Sequence, residues 1–500
     1  MTGGMTGGMT GDPGTVDGGP GAMVEVTGGA AGVAASYAAL LALAAVFDEA
    51  AGQMRGWAAE GARTLLDPDL LASALLSPGT FAEAESAVLV ATTGPDGVGV
   101  ESLGWEVDAR ALRLLVGVLE AADAGAAEAV AAVEHQVGRT VGWTLGATAP
   151  AALPAAALVA GRIALTVPDL PARAAPLVET WLTEHPDEVE HLVAGGGGFL
   201  EGLWDGLTPG APGGPLGLPL HLADAGAAAG LLARLYPGRP ARTTLLPDVR
   251  VESSTTAPRS VADLVDHARQ LSELSGPDHP ELNGTLALQT LTGPGRETRH
   301  VLLLPGTDDM TTLPWTEDGD VRDMGTNLRL VGGLDNGYAV GVLDALAQAG
   351  VGDDPVLVVG HSQGGMLAAD LLASAAEHGV PISHAVTLGS PTGQLDGFPA
   401  GSHVLSLEHR GDVVPLLDGV ANPDSVEQVT VTFESRAGGE GVAAHHGFEA
   451  YAEGAALVDA STDPSVHAAV RELHRAGFLG AAEGTEVTSR VFRVVREPQP

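Results

Sequence analysis

Val356-Leu357-Val358-Val359-Gly360-His361-Ser362-Gln363-Gly364-Gly365-Met366 is the stretch from which the rest of the chain can be read. Four consecutive large apolar residues, Val356 to Val359, predict a short strand buried on both faces. Gly360-His361-Ser362-Gln363-Gly364 fits G-x-S-x-G, a turn that lifts a serine out of the end of a strand. Met366, Leu367, Leu371 and Leu372 then recur at helical spacing. Strand, glycine-flanked serine and helix follow in that order. Glycines on either side let strand and helix approach closely around a strained serine backbone. Ser362 is therefore the candidate nucleophile.

A serine hydroxyl is a weak nucleophile at neutral pH. It needs a histidine to take its proton, a carboxylate to orient that histidine, and donors for the oxyanion that forms. Downstream, the strand His403–Leu407 runs into Glu408-His409-Arg410-Gly411-Asp412-Val413-Val414-Pro415. Asp412 lies in this loop, and Glu408 and Asp418 are the other carboxylates within reach. A strand over Gln428–Phe433 and a Gly-rich loop lead to two adjacent histidines, His445 and His446. His361 adjoins the serine too closely to swing round as a base and is expected to pack within the turn. Upstream, a strand over Arg299–Leu304 ends in Pro305-Gly306-Thr307. Of the two donors, the N–H of the residue after the nucleophile is that of Gln363.

Several of these segments resemble one family. Arg410 to Pro415 resembles the D-[IV]-V-P segment of class 3 lipases and related actinobacterial serine esterases. Leu388-Gly389-Ser390-Pro391 is similar to their G-[SA]-P strand end, and Pro305-Gly306-Thr307 to their [RP]-G-T turn. His446 to Tyr451 resembles an H-x4-Y arrangement in bacterial relatives, and Asp323 to Leu328 a segment after the oxyanion turn, with Asp323 or Thr326 near a helix cap. The resemblance covers about residues 258–460. It implies an α/β-hydrolase sheet, mostly parallel, with helices on both faces. It implies Ser362 as nucleophile, Asp412 as acid and His446 as base, with His445 the alternative. The N–H groups of Thr307 and Gln363 would form the oxyanion hole. The activity implied is hydrolysis of small-molecule or lipid carboxylic esters through an acyl-enzyme, with no cofactor and no metal. Gln363 stands where many lipases have Leu or a small residue, which puts a polar side chain beside the site.

Strand–helix alternation runs through the second half: helix Val261–Leu274, strand Gly284–Leu291, helix Tyr338–Gln348, helix Met366–Ala376, strand His384–Leu388 and helix Phe448–Val458. Continuous apolar strands between helices predict a parallel sheet covered on both faces. The first half reads differently. Residues 1–30 repeat M-T-G-G and predict a disordered Gly-rich arm. Tyr37, Leu40, Ala44, Phe47, Ala51 and Met54 mark an amphipathic helix. Leu70–Leu76 is a shorter helix. Residues 87–91 and 98–100 flank Gly94-Pro95-Asp96-Gly97 as a hairpin or loop, and a long helix spans about 107–137. A helix over Leu177–Val193 should end at Gly195–Gly198, residues 207–220 should loop, and Leu222–Tyr236 should close the region. The resulting domains are the arm 1–30, an Ala-rich helical domain 31–236, a linker 237–258, the catalytic domain 259–480 and a C-terminal tail 481–500.

The 500 residues exceed what one core accommodates. All 24 basic residues are arginine, and the net charge is −39. That balance excludes nucleic acid and anionic membrane surfaces as partners, because both need clustered cations. No cysteine is present, which removes disulfides and Cys-ligated metals. The N-terminus lacks a basic segment followed by an apolar run, so a cytoplasmic protein is expected, or one exported without a signal peptide. Thr140 to Gly161 is uncharged but rich in Ala, Gly and Pro, which predicts a buried helical hairpin and no integral membrane span. The N-terminal helices suit self-association or a cover over the site. They also loosely resemble the helical modules of WXG-type exported or scaffolding proteins, with Trp204-Asp205-Gly206 as the matching tripeptide. His185 and His191 lack any metal-ligand spacing.

Overall fold

The computed structural model describes residues 21–166, 179–208 and 221–498. They fall into two compact units, Ala31–Val133 and the remainder. Residues 1–20 of the expected arm, the start of the helix expected from Leu177, and the expected loop at 209–220 lie outside the described residues.

In the larger unit, β1 (Gly21–Gly28), β2 (Ala241–Leu245), β3 (Thr285–Thr292), β4 (Thr298–Leu304), β5 (Val356–His361), β6 (Ile382–Leu388), β7 (His403–His409), β8 (Gln428–Ser435) and β9 (Glu486–Arg496) build one sheet. Their order is β1-β8-β7-β6-β5-β4-β3-β9-β2. Strands β4 to β8 run parallel. The flanking pairs β1–β8, β3–β4, β3–β9 and β2–β9 are antiparallel, so the sheet is more mixed than expected.

The parallel strands alternate between two cores, which is why they read as unbroken apolar runs. Leu357, Val359, Val386, Leu388, Leu405 and Leu407 face one side, with Tyr451, Ala455, Val466 and Leu473 in the same core. Val356, Val358, Leu302, Leu304, Ala385 and Val404 face the other, with Tyr338, Val342, Leu367 and Leu371.

Three sequence expectations fail around this sheet. The arm's residues 21–28 are a strand on β8. The linker 237–258 contains β2 and places Val251 in the core. The tail 481–500 supplies β9, paired with β3 on one side and β2 on the other, with Val491, Phe492 and Val494 buried. Each segment pairs only with strands remote in sequence, so only the tertiary pairing reveals it.

The helical domain also ends earlier than expected, at Val133. Within that unit the helices are Val33–Leu65, Pro68–Leu76, Pro78–Thr93 and the first part of Val98–Thr166. The segments around Gly94-Pro95-Asp96-Gly97 are therefore helical, not a strand hairpin. The first and last helices run antiparallel, joined by Tyr37 to Asp123 (3.2 Å), Arg113 to Asp48 (2.6 Å) and Arg55 to Glu106 (3.3 Å). Val33–Leu65 is long and apolar enough, by length and composition, to cross a membrane.

The backbone from 140 to 161 forms no hairpin; it is part of the single helix Val98–Thr166, and Val141, Trp143 and Leu145 are exposed. Gly196 to Gly198 open a helix, Gly196–Leu207, instead of ending one. Gly198, Gly202 and Gly206 sit against the backbone of residues 135–147. A Cβ at Gly198 would lie 2.0 Å from the carbonyl oxygen of His135. Small residues four apart permit this approach. Trp204-Asp205-Gly206 belongs to the same helix, with Asp205 paired to Arg139 at 2.9 Å.

Candidate active site

Five loops converge at the C-terminal end of the parallel strands, the usual place for a site in such a sheet. Ser362 follows β5, and its N–H donates to the carbonyl oxygen of Leu388 at the end of β6 (2.8 Å). Its backbone sits at φ +54°, ψ −122°, outside the regions that L-residues readily adopt. Such a conformation costs of order 1–3 kcal/mol and persists only where its surroundings enforce it. Here the enforcement is steric. A Cβ at Gly360 would lie 2.1 Å from the Gly364 carbonyl oxygen, and one at Gly364 would lie 2.0 Å from that of Leu304. Strand, turn and helix Gln363–Ala373 close on each other with no room for side chains.

Asp412 lies beyond β7 and is buried. Its Oδ2 is 2.7 Å from His446 Nδ1 and accepts the Tyr451 hydroxyl at 2.7 Å. Its Oδ1 accepts the N–H of Val414 at 2.9 Å. Burial, with the Asp412 carboxylate beside it, pushes the Tyr451 phenol well above its ordinary pKa, so it stays a donor. An ionised Asp412 requires a proton on Nδ1 of a neutral His446, which leaves Nε2 free to accept. His445 does not reach the acid. Its Nδ1 lies 3.0 Å from the Gly411 carbonyl oxygen and its ring stacks on His409.

His361 packs inside the turn. Its Nε2 donates to the carbonyl oxygen of His446 at 2.9 Å, and its ring lies 4.5 Å from His446 and 4.4 Å from Phe448. Burial, with His446 beside it, pushes its pKa down to about 3. It is a neutral spacer that sets the height of His446. No hydrogen bond joins Ser362 Oγ to His446, a looseness common in sites without substrate.

The N–H groups of Gln363 and Thr307 make no hydrogen bond to another described residue. That of Gln363 starts a helix, where unpaired donors and the dipole attract negative charge. Gly306 adjoins the serine: a Cβ there would be 3.1 Å from Ser362 Cβ.

The Gln363 side chain corrects an expectation. It is fully buried and is held by hydrogen bonds to the Asp323–Asn327 segment. Its Nε2 donates to the Asp323 carbonyl oxygen (2.9 Å) and to Asn327 Oδ1 (2.7 Å), and Asn327 Nδ2 donates to Thr307 Oγ1 (3.1 Å). Asp323 caps helix Met324–Val331 through the Thr326 N–H and is paired bidentately with Arg496 of β9 at 2.8 and 2.9 Å. Arg322, also buried, donates to the Gly306 carbonyl oxygen (2.9 Å) and pairs with Asp308 (2.7 Å). Sequence reasoning misses Asn327, Arg322 and Arg496. The D-M-G-T-N-L segment is the available signal for Asn327; nothing local marks Arg496.

The other two carboxylates considered as acids do not meet a histidine of this site. Glu408 accepts Asn422 Nδ2 at 2.6 Å, and Asp418 accepts the N–H groups of Gly393 and Gln394. Burial pushes Glu408 up to about 8, with help from Asp418 and Asp412, and Asp418 up to about 7.

No protein-family model matches the chain, and no curated protein is significantly similar to it.

Proposed function

We propose that the protein is a serine ester hydrolase with an α/β-hydrolase catalytic domain. The observation that carries this reading is Ser362, forced into a left-handed conformation between β5 and a helix, at the strand ends where the His446–Asp412 pair also sits. A serine turn with a purely structural role would not need that strain, nor two unpaired N–H groups nearby.

In this mechanism His446 Nε2 takes the Ser362 Oγ proton as Oγ attacks the ester carbonyl carbon. The C=O electron pair moves to oxygen, and the Thr307 and Gln363 N–H groups hold the oxyanion. Asp412 keeps His446 oriented and stabilises the imidazolium. The intermediate collapses by breaking the bond to the alcohol oxygen, which leaves with the proton from His446. Water, deprotonated by His446, then attacks the acyl-enzyme, and the bond to Ser362 Oγ breaks as His446 returns the proton to Oγ, releasing the acid product. No cofactor is required.

A fluorophosphonate probe tests the reading. It should label the protein at Ser362, and Ser362→Ala should abolish labelling and lower ester hydrolysis by about 10⁴-fold or more. A folded wild-type protein that neither labels nor cleaves short- or long-chain esters overturns it. Labelling lost in His445→Ala but kept in His446→Ala would reassign the base.

A further inference from the structure

The opposite end of the sheet carries a second cluster. His384 lies near the start of β6 and His403 opens β7, and the two are direct partners in the β6–β7 register. Their rings are 5.0 Å apart. Glu472, on helix Pro464–Arg475, faces both: its Oε1 is 3.7 Å from His384 Nε2 and 3.7 Å from His403 Nε2. The three ligand atoms all lie within 4.8 Å of one another.

His384 is buried, and its Nε2 has no hydrogen-bond partner. Leaving a buried polar atom in that state is unfavourable unless something binds it. Its other nitrogen, Nδ1, is 2.8 Å from Ser383 Oγ. A proton on Nδ1, donated to that hydroxyl, turns the Nε2 lone pair toward Glu472. Second-sphere bonds of this kind orient metal-binding imidazoles.

We propose that His384, His403 and Glu472 form a site for a divalent transition cation of the zinc type. Ligands about 2.1 Å from a tetrahedral ion stand about 3.4 Å apart. The two 3.7 Å separations to Glu472 are thus near the final geometry, and the two histidine nitrogens, within 4.8 Å of each other, close the rest of the way on binding. Two neutral imidazoles and one carboxylate suit zinc and its neighbours, whereas calcium and magnesium prefer all-oxygen shells. A cleft of about 590 Å³, lined by His403, Glu472, Ser465 and Arg475 among others, brings water to the fourth position. The bound ion would tie helix Pro464–Arg475 to β6 and β7.

Arg475 is the competitor. It grips Glu472 at 2.7 and 2.5 Å, but its side chain is exposed and free to swing out. The site is not legible in the sequence, because its ligands come from two strands and a distant helix.

Titration calorimetry of the full chain with Zn²⁺, and absorption of the Co²⁺ form, test the proposal without any activity readout. We expect one ion per chain, a tetrahedral cobalt spectrum and a rise in melting temperature. His403→Ala and Glu472→Gln should each weaken binding by about 100-fold or more, and Arg475→Ala should strengthen it. His384→Ala empties a buried position and can unfold the domain, so the decisive variants are those of the two more exposed ligands. Absence of stoichiometric binding overturns the proposal. So does wild-type affinity in both His403→Ala and Glu472→Gln, which would place the ion elsewhere.

Discussion

Tyr451→Phe removes one oxygen from a fully buried side chain and tests how the acid is held. The Tyr451 hydroxyl donates to Asp412 Oδ2 at 2.7 Å and accepts the His409 N–H at 3.3 Å. A hydrogen bond to a charged group contributes about 1.5–3 kcal/mol, and the stranded His409 N–H adds about 1 kcal/mol. The expected loss is about 2.5–4 kcal/mol. At roughly 2 °C per kcal/mol for a domain of this size, the melting temperature should fall by about 5–8 °C. Activity should respond less. Asp412 keeps His446 at 2.7 Å and Val414 N–H at 2.9 Å, so only part of the bond energy is expressed in orientation. About 1.4 kcal/mol of it corresponds to a tenfold fall in kcat/KM. Asp412→Ala should instead cost about 10⁴-fold.

A double-mutant cycle separates the bond from the packing. In an Asp412→Asn background the acceptor is neutral, and Tyr451→Phe should cost only about 2 kcal/mol, about 1 for the neutral bond and about 1 for the stranded His409 N–H. Scanning calorimetry on the four proteins gives the coupling, and an ester assay gives the rates. An unchanged melting temperature in Tyr451→Phe, or an equal drop in both backgrounds, would refute this role. The tyrosine would then act as a core ring and not as a donor to the acid.

Glu408→Gln should stabilise the protein increasingly as pH rises. Its folded pKa of about 8 lies above the ordinary 4.5, so the wild type loses stability from about pH 4.5 to pH 8, by up to about tenfold in the folding equilibrium per pH unit. Thermal melts at pH 5 and pH 8 read the difference, and a constant gap between variant and wild type would count against it. His361 acts in the opposite sense. With its folded pKa at about 3, the unfolded chain alone binds a proton below about pH 6.5, so stability falls as pH drops from 6.5 toward 3. His361→Asn should flatten that acid slope in the same melts. Arg496→Met leaves Asp323 charged and unpaired in the interior, which should cost about 3–5 kcal/mol by denaturation. Asn327→Ala should lower kcat more than it raises KM, because it loosens the Thr307 donor and not substrate binding; an equal effect on both would contradict that role.

The central strands are legible because burial on both faces leaves a continuous apolar run that no other short element produces. Val356–Val359, the strand before Gly306 and the strand before Asp412 all fall where the pattern puts them. Ser362, Asp412 and His446 are legible as candidates for a different reason: each follows a strand end in a loop with its own local signature. What is not legible is held by partners far away in sequence. Strand β9 alternates between buried and half-exposed residues and looks like a tail until β2 and β3 flank it. The segment 21–28 begins in a Gly-rich context and becomes a strand only against β8. The Gly195–Gly198 run reads as a helix end because glycine breaks isolated helices, whereas here it admits a neighbouring helix backbone.

The same dependence on distant partners governs the site itself. In the sequence, Gln363 is a polar side chain beside the nucleophile. In the structure it is buried and bonded to Asp323 and Asn327. Its neighbours extend the connection: Asn327 to Thr307 on one side, Asp323 to Arg496 on the other. One proposed oxyanion donor, Thr307, is thus braced through the side chain of the other, Gln363, and that brace is anchored on a strand that looks dispensable in the sequence. A serine turn with free N–H groups needs rigid support, since a donor displaced by even about 1 Å loses most of its effect on the transition state. Leu at position 363 would remove the support without opening the site to longer acyl chains. On the proposed function, acyl preference would be set by other side chains around Ser362, and Gln363 belongs to the scaffold that supports the two proposed oxyanion donors.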